Sequence, residues 1–138
     1  MKHPTIDDVR MLSFQQRGDE RGRLVVAEGG QEIPFDIRRV FYIYDSVPQV
    51  VRGRHANRES EFVMIDMAGS SRVRVSDGAH ERVYTLDQPH TGIYIPRMLW
   101  KEMFDFSENA VLLVLANTHY DAGEYIRDYA EYLKEVNR

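Results

Sequence analysis

From Arg23 to Ala116 the chain is a succession of short β-branched and aromatic runs, each closed by a turn signal. The runs are Arg23-Leu-Val-Val-Ala-Glu28, Arg38-Arg-Val-Phe-Tyr-Ile-Tyr44, Glu61-Phe-Val-Met-Ile-Asp-Met67, Ser71-Arg-Val-Arg-Val75, Glu81-Arg-Val-Tyr-Thr-Leu86, Gly92-Ile-Tyr-Ile-Pro96 and Ala110-Val-Leu-Leu-Val-Leu-Ala116. Asp45 to Pro48 ends the second, Ala68-Gly69 the third, and Asp77-Gly78 reads as a tight hairpin turn after the fourth. Strands spaced at roughly 8–12 residues argue for an all-β sandwich or barrel rather than a βαβ sheet.

After Asp121 the period changes. Tyr125, Ile126, Tyr129, Tyr132, Leu133 and Val136 recur at helical spacing, and Asp121 stands three residues before Glu124, as an N-cap stands to its N3 partner. The pattern predicts one amphipathic helix over about 124–136. Its apolar stripe must cover something, and one end of the barrel is favoured over a partner subunit.

No linker or repeat divides the 138 residues, so a single domain is expected over 1–138, with its core at about 10–120. Hydrophobic residues make up 43%, enough for a buried core. The absence of cysteine removes disulfides, thiolate nucleophiles and thiolate metal sites. The net charge of −4 argues against a nucleic-acid partner. No run approaches the ~18 apolar residues of a membrane span. Met1 to Arg10 has no apolar signal region, so the cytoplasm is the expected compartment.

The segment Arg52-Gly-Arg-His-Ala-Asn-Arg-Glu-Ser-Glu61 carries the chemistry. On a strand, His55, Asn57, Glu59 and Glu61 alternate onto one face, where a small barrel normally places its filling. His55 titrates near working pH and is the best base in the chain. Alone, it would read as a hydrogen-bonded core histidine. His80, His90 and His119 fall in expected turns and read as solvated residues. Trp100 reads as packing or a stacking wall, and Lys101 and Glu102 as a pocket-mouth or surface pair.

The same segment resembles the first cupin motif, in which His-x-His is followed by a Glu and a strand-ending Gly. Here these positions read His55-Ala-Asn57, Glu61 and Gly69, and the later histidine position falls in Pro96-Arg-Met-Leu-Trp100-Lys101. One His and one Glu do not make a tight Zn or Fe site, so the resemblance is to a metal-free, cofactor-free cupin. A closer match covers about residues 10–135. Arg39-Val-Phe-Tyr42-Ile, Arg52-Gly-x-His55-Ala, Gly69-Ser-x-Arg72-Val, Asp77-Gly, Gly92-Ile-Tyr, Trp100-x-Glu-Met-x-Asp-Phe-Ser107 and Val114-Leu-Ala-x-x-x-Tyr120-Asp occur in order. Together they resemble the WxcM-like or FdtA-type family of dTDP-4-keto-6-deoxyglucose 3,4-ketoisomerases.

The resemblance implies a cupin-type jelly roll with one C-terminal helix, a homodimer with strands exchanged near the N-terminus, and a dTDP-linked keto-sugar substrate used for bacterial surface glycans. It puts catalysis on His55 as the base; the chemistry of a keto shift adds Tyr42, a phenol that both donates and accepts, as the relay to the sugar oxygens, and Asn57 as a donor to the enediolate. Arg39 and Arg52, then Arg72 and lastly Arg21, are the candidate diphosphate clamps, and Glu61 would orient the imidazole. Family members carry Arg-Gly-x-His-Ala-His, whereas the second histidine here is Asn57, which cannot shuttle a proton near neutral pH. A 3,5-epimerase of the same substrate and a non-catalytic nucleotide-sugar-binding cupin remain the alternatives.

Overall fold

A computed structural model describes residues 3–138. Twelve strands run in the order β1 (Arg10–Ser13), β2 (Gln16–Asp19), β3 (Gly22–Val25), β4 (Arg39–Tyr44), β5 (Arg52–Asn57), β6 (Phe62–Ala68), β7 (Ser71–Ser76), β8 (Glu81–Leu86), β9 (Thr91–Ile95), β10 (Trp100–Phe104), β11 (Val111–Ala116) and β12 (Tyr125–Ile126), followed by one helix, α1 (Tyr129–Val136). Two five-stranded antiparallel sheets have the orders β1-β9-β6-β11-β4 and β12-β5-β10-β7-β8, and β2-β3 forms a separate hairpin. This is the expected all-β jelly roll.

Alternation within the strands builds the main core between the sheets. Phe62 and Met64 from β6, Val73 and Val75 from β7, Ile93 and Ile95 from β9, and Leu112 and Val114 from β11 meet there. The other faces are covered too. Val63, Ile65 and Leu115 pack outward against Phe14, Ile33 and Phe35, which explains why β6 is buried on both sides. On the second sheet, Ala56, Trp100 and Ile126 face outward onto Tyr132 and Val136 of α1.

The helix therefore closes its own domain, but over the outer face of a sheet rather than one end of a barrel. It also starts later than expected. Asp121 accepts from the Gly123 N–H and caps only a 3₁₀ turn at Ala122–Glu124. The chain then runs extended through β12, and Asp128 caps α1 by accepting from the Ala130 N–H. Tyr125 and Ile126 satisfy the helical period, but pairing with Asn57 and Ala56 of β5 takes them into the sheet.

The Asp77-Gly78 signal lies in a four-residue connection rather than a two-residue turn. The Asp77 carboxylate accepts from the backbone N–H groups of Ile6, Ala79 and His80. Gly78 has φ +93°, and a Cβ there would crowd Val136 and Leu133. That glycine lets the loop and the helix end pack together. The expected strand face from His55 to Glu61 is cut short. β5 stops at Asn57, the chain turns, and β6 begins at Phe62.

Candidate active site

β5 is held between β10 and β12, and its inward residues meet the core-facing side of β4 and β6. There a cavity of ≈ 210 Å³ opens, walled by Phe41, Ile43, Phe62, Met64 and Met103, with Arg52, His55, Lys101 and Arg127 supplying polar groups, and Tyr120 and Tyr125 flanking it. A neighbouring hollow of ≈ 320 Å³ is lined by Arg39, Phe41, Tyr120 and Tyr125. Phe41, Tyr120 and Tyr125 thus form the wall the two spaces share.

His55 packs its ring edge-on to Tyr125, at 4.9 Å between centroids. Its Nδ1 is buried without a hydrogen-bond partner. Burial, helped by the charges of Lys101 and Arg127, pulls the imidazole down to about 3, so it is neutral and ready to accept a proton. Across the ladder from His55 stands Lys101 on β10. Its side chain is 1% exposed, lies 4.9 Å from the Phe62 ring centre, and donates to Asn57 Oδ1 at 3.0 Å. Burial pushes its amine down to about 7.

Asn57 is fully buried and held on both sides. Its Nδ2 donates to Glu124 Oε2 at 2.5 Å, which fixes Oδ1 toward Lys101. Glu124 also accepts from Ser60 Oγ and from the N–H groups of Glu59 and Ser60. Burial works against this carboxylate, but these donors hold it below its ordinary range. Asn57 therefore braces the cavity floor and does not line the cavity, so it does not take the enediolate-donor position expected of it.

Arg39 stands beside the cavity with its Nε and Nη2 buried and unpaired. Its guanidinium lies over Phe41, Phe62 and Tyr120 at 5.5, 5.9 and 5.7 Å, and only Nη1 finds a partner, the Tyr125 hydroxyl at 3.4 Å. A guanidinium stacked on aromatic rings with free donors is a ready oxyanion receptor. Arg52 reaches the cavity mouth, with Nε on Ser46 Oγ at 3.3 Å.

Four expectations are corrected. Tyr42 is 63% exposed, because β4 turns Phe41 and Ile43 inward and Tyr42 out to stack on Tyr44. It cannot relay protons in the His55 cavity. Glu61 lies past the end of β5, where it accepts from the Tyr94 hydroxyl and from Asn117 Nδ2, so it does not orient His55. Arg72 sits on the exposed side of β7, bonded to Asp105 at 3.0 Å. Arg21, on the β2-β3 hairpin, is gripped by Asp19 at 2.7 Å. Neither arginine lines the cavity.

Sequence reasoning missed Arg127, Tyr125 and Glu124, because all three were assigned to a helix or its cap. Lys101, read as a pocket-mouth or surface residue, is instead buried, as is its neighbour Trp100. α1 covers the outer face of β10, and the alternation that would have marked Lys101 as inward is lost. Trp100 itself packs on Tyr129 and Tyr132 of α1. Among the described residues no three His, Asp or Glu side chains converge as a metal site would need. Nor is any helix among them long and apolar enough to cross a membrane.

The family model described as FdtA (WxcM-like, C-terminal) matches residues 7–137. A curated relative, the TDP-4-oxo-6-deoxy-alpha-D-glucose-3,4-oxoisomerase of Aneurinibacillus thermoaerophilus, is 40% identical over 92% of this chain and 91% of its own. A 3,4-ketoisomerase from Helicobacter canadensis superposes with a TM-score of 0.92 and 44% identity, over 95% of this chain and 98% of that one. A histidine-to-asparagine variant of the 3,4-ketoisomerase from Thermoanaerobacterium thermosaccharolyticum, in complex with TDP-4-keto-6-deoxyglucose, gives a TM-score of 0.92 at 38% identity over 94% of both chains.

Proposed function

The chain belongs to the FdtA, WxcM-like family, and from that premise we infer that it is an isomerase that moves the carbonyl of a TDP-4-keto-6-deoxyhexose from C4 to C3. One observation carries the reading: a neutral imidazole with its Nδ1 unpartnered faces a cavity that also holds Arg52, Lys101 and Arg127. That pairing suits a proton taken from carbon while negative charge develops on oxygen.

His55 takes the C3 proton, and the C3–H electrons form a C3–C4 double bond as O4 becomes anionic. The proton is then returned to C4, and the O3 hydroxyl gives up its proton to O4 as O3 becomes the carbonyl oxygen. A histidine held so low is a weak base, and the incoming diphosphate offsets the cations that hold it there. At ≈ 210 Å³ the cavity is smaller than the about 300 Å³ at which ligand pockets usually begin, so it takes the sugar ring while the nucleotide lies over the adjoining hollow. Arg39, with two free donors, and Arg52, at the mouth, clamp the diphosphate between them. No metal is needed in this scheme, and turnover is expected to survive EDTA. Stoichiometric Zn, Fe or Mn lost together with activity would contradict it.

The working form is a dimer. Val40, Tyr42 and Tyr44 form an apolar row, 56%, 63% and 58% exposed, on the sheet-edge strand β4, and Leu24 and Val26 are exposed at and just beyond β3. A second copy covers them.

The test is incubation of the protein with TDP-4-keto-6-deoxyglucose in D₂O, followed by NMR. The expected product carries its carbonyl at C3. Deuterium entering C3 and C5 with the carbonyl still at C4 would mean an epimerase, and an unchanged spectrum with bound nucleotide a binding module.

A further inference from the structure

Lys101 is the one lysine inside the cavity wall, and no carboxylate lies within ion-pair distance of it among the described residues. It stands opposite His55 on the neighbouring strand, so the two side chains share the cavity face. One amine hydrogen is committed to Asn57 Oδ1, itself locked by Glu124. An uncharged amine held this way keeps one N–H and one lone pair for the cavity, a donor and an acceptor on the same atom. We propose that Lys101 is the second proton carrier of the isomerisation, moving the hydroxyl proton from O3 to O4 while His55 moves the carbon-bound proton from C3 to C4.

The inference rests on the functional reading above. The bookkeeping closes on two protons. As His55 removes the C3 proton, the Lys101 lone pair accepts the O3 proton while its free N–H passes to O4, one concerted exchange that leaves the amine uncharged, His55 protonated and the sugar an enediolate with its negative charge on O3. The C3–C4 π electrons then take the proton from His55 at C4, and C3=O3 forms. Both side chains end as they began, and nothing is oxidised or reduced outside the sugar. Asn57 is the positioning residue: it occupies the place of the second histidine in the family's pattern, where it cannot carry a proton but can aim an amine that does.

The titratable groups facing Lys101 are the neutral His55 and Arg52 on β5, Tyr120, Tyr125 on β12, Arg127 after it and Glu124 before it. The walls from β4 and β6 are apolar. Burial outweighs the opposing pull of the single carboxylate, Glu124, so the uncharged amine is held in reach of neutral pH.

The test compares wild type with Lys101→Met and Lys101→Ala. Lys101→Met is expected to lose about a hundredfold or more in kcat, the usual size of a proton-transfer contribution, while TDP affinity stays within about twofold. Wild-type kcat/KM should rise with pH through about 7, and that limb should vanish in Lys101→Met. Added ethylamine should restore turnover to Lys101→Ala in proportion to its free-base fraction, whereas guanidinium, a cation that keeps its protons, should not. An active wild type with Lys101→Met within threefold, a flat wild-type profile through neutral pH, or equal rescue by guanidinium would overturn the inference alone. A wild type that leaves the carbonyl at C4 would overturn the functional reading and this inference with it. A wild-type profile flat through neutral pH overturns the inference even if neither variant folds.

Discussion

At the scale of the residue, His55 shows how far an environment moves a side chain from its ordinary behaviour. An exposed histidine would put the acid limb of the rate profile near 6.5, but burial and two nearby cations move it to about 3 in the free protein. The same shift sets a stability trend. Between about 3 and 6.5 the unfolded chain binds a proton at this position and the folded one does not, so stability falls as pH falls through that window. His55→Asn removes the base and keeps a polar group of similar size. Turnover and C3 exchange with D₂O should be abolished, with TDP binding and the melting curve nearly unchanged; near wild-type exchange would show that another group is the base. The arginines divide by their partners. Arg39→Ala and Arg52→Ala should each weaken TDP about tenfold, the loss of a charge-assisted hydrogen bond worth ~1.5–3 kcal/mol. Arg72→Ala, whose guanidinium is spent on Asp105, should leave calorimetric affinity unchanged. In sequence these residues look alike. The motif marks His55, Arg39 and Arg52, but that Arg72 is already engaged depends on Asp105, a side chain that only folding brings near.

At the scale of the element, apolar periodicity located most strands because they alternate or are buried throughout. It failed where tertiary pairing overrides a local preference. β10 has few β-branched residues and follows a proline, yet it pairs with both β5 and β7 and carries Lys101 into the cavity. Tyr125 and Ile126 fit a helix until β5 claims them, and the helix boundary moves from about 124 to Tyr129. What anchors the shortened helix is Tyr132, fully buried, whose hydroxyl lies 2.8 Å from the Met98 carbonyl oxygen and 3.1 Å from that of Ser76. It donates to those carbonyls at the end of β7 and before β10. Tyr132→Phe keeps the ring and removes this shared donor, which costs about 1–3 kcal/mol. Thermal denaturation should show a melting point lower by several degrees. An unchanged melt would mean that packing against Trp100 alone holds the helix.

At the scale of the whole molecule, a 16.2 kDa chain leaves an apolar row on β4 and another beside the β2-β3 hairpin without cover. Sedimentation at micromolar concentration should give twice the chain mass, and the double variant Tyr42→Glu, Leu24→Glu should give the monomer. A wild-type monomer would contradict the assembly. The sandwich has a further consequence in time. β5 is seated by β10 on one side and β12 on the other, and Glu124 ties Asn57 to the chain beyond β11. During synthesis the histidine strand therefore leaves the ribosome long before either neighbour exists, and its edge stays open to stray pairing. Regain of turnover after dilution from denaturant should accordingly lag behind the recovery of sheet signal, since the catalytic floor is laid last, by residues almost at the far end of the chain.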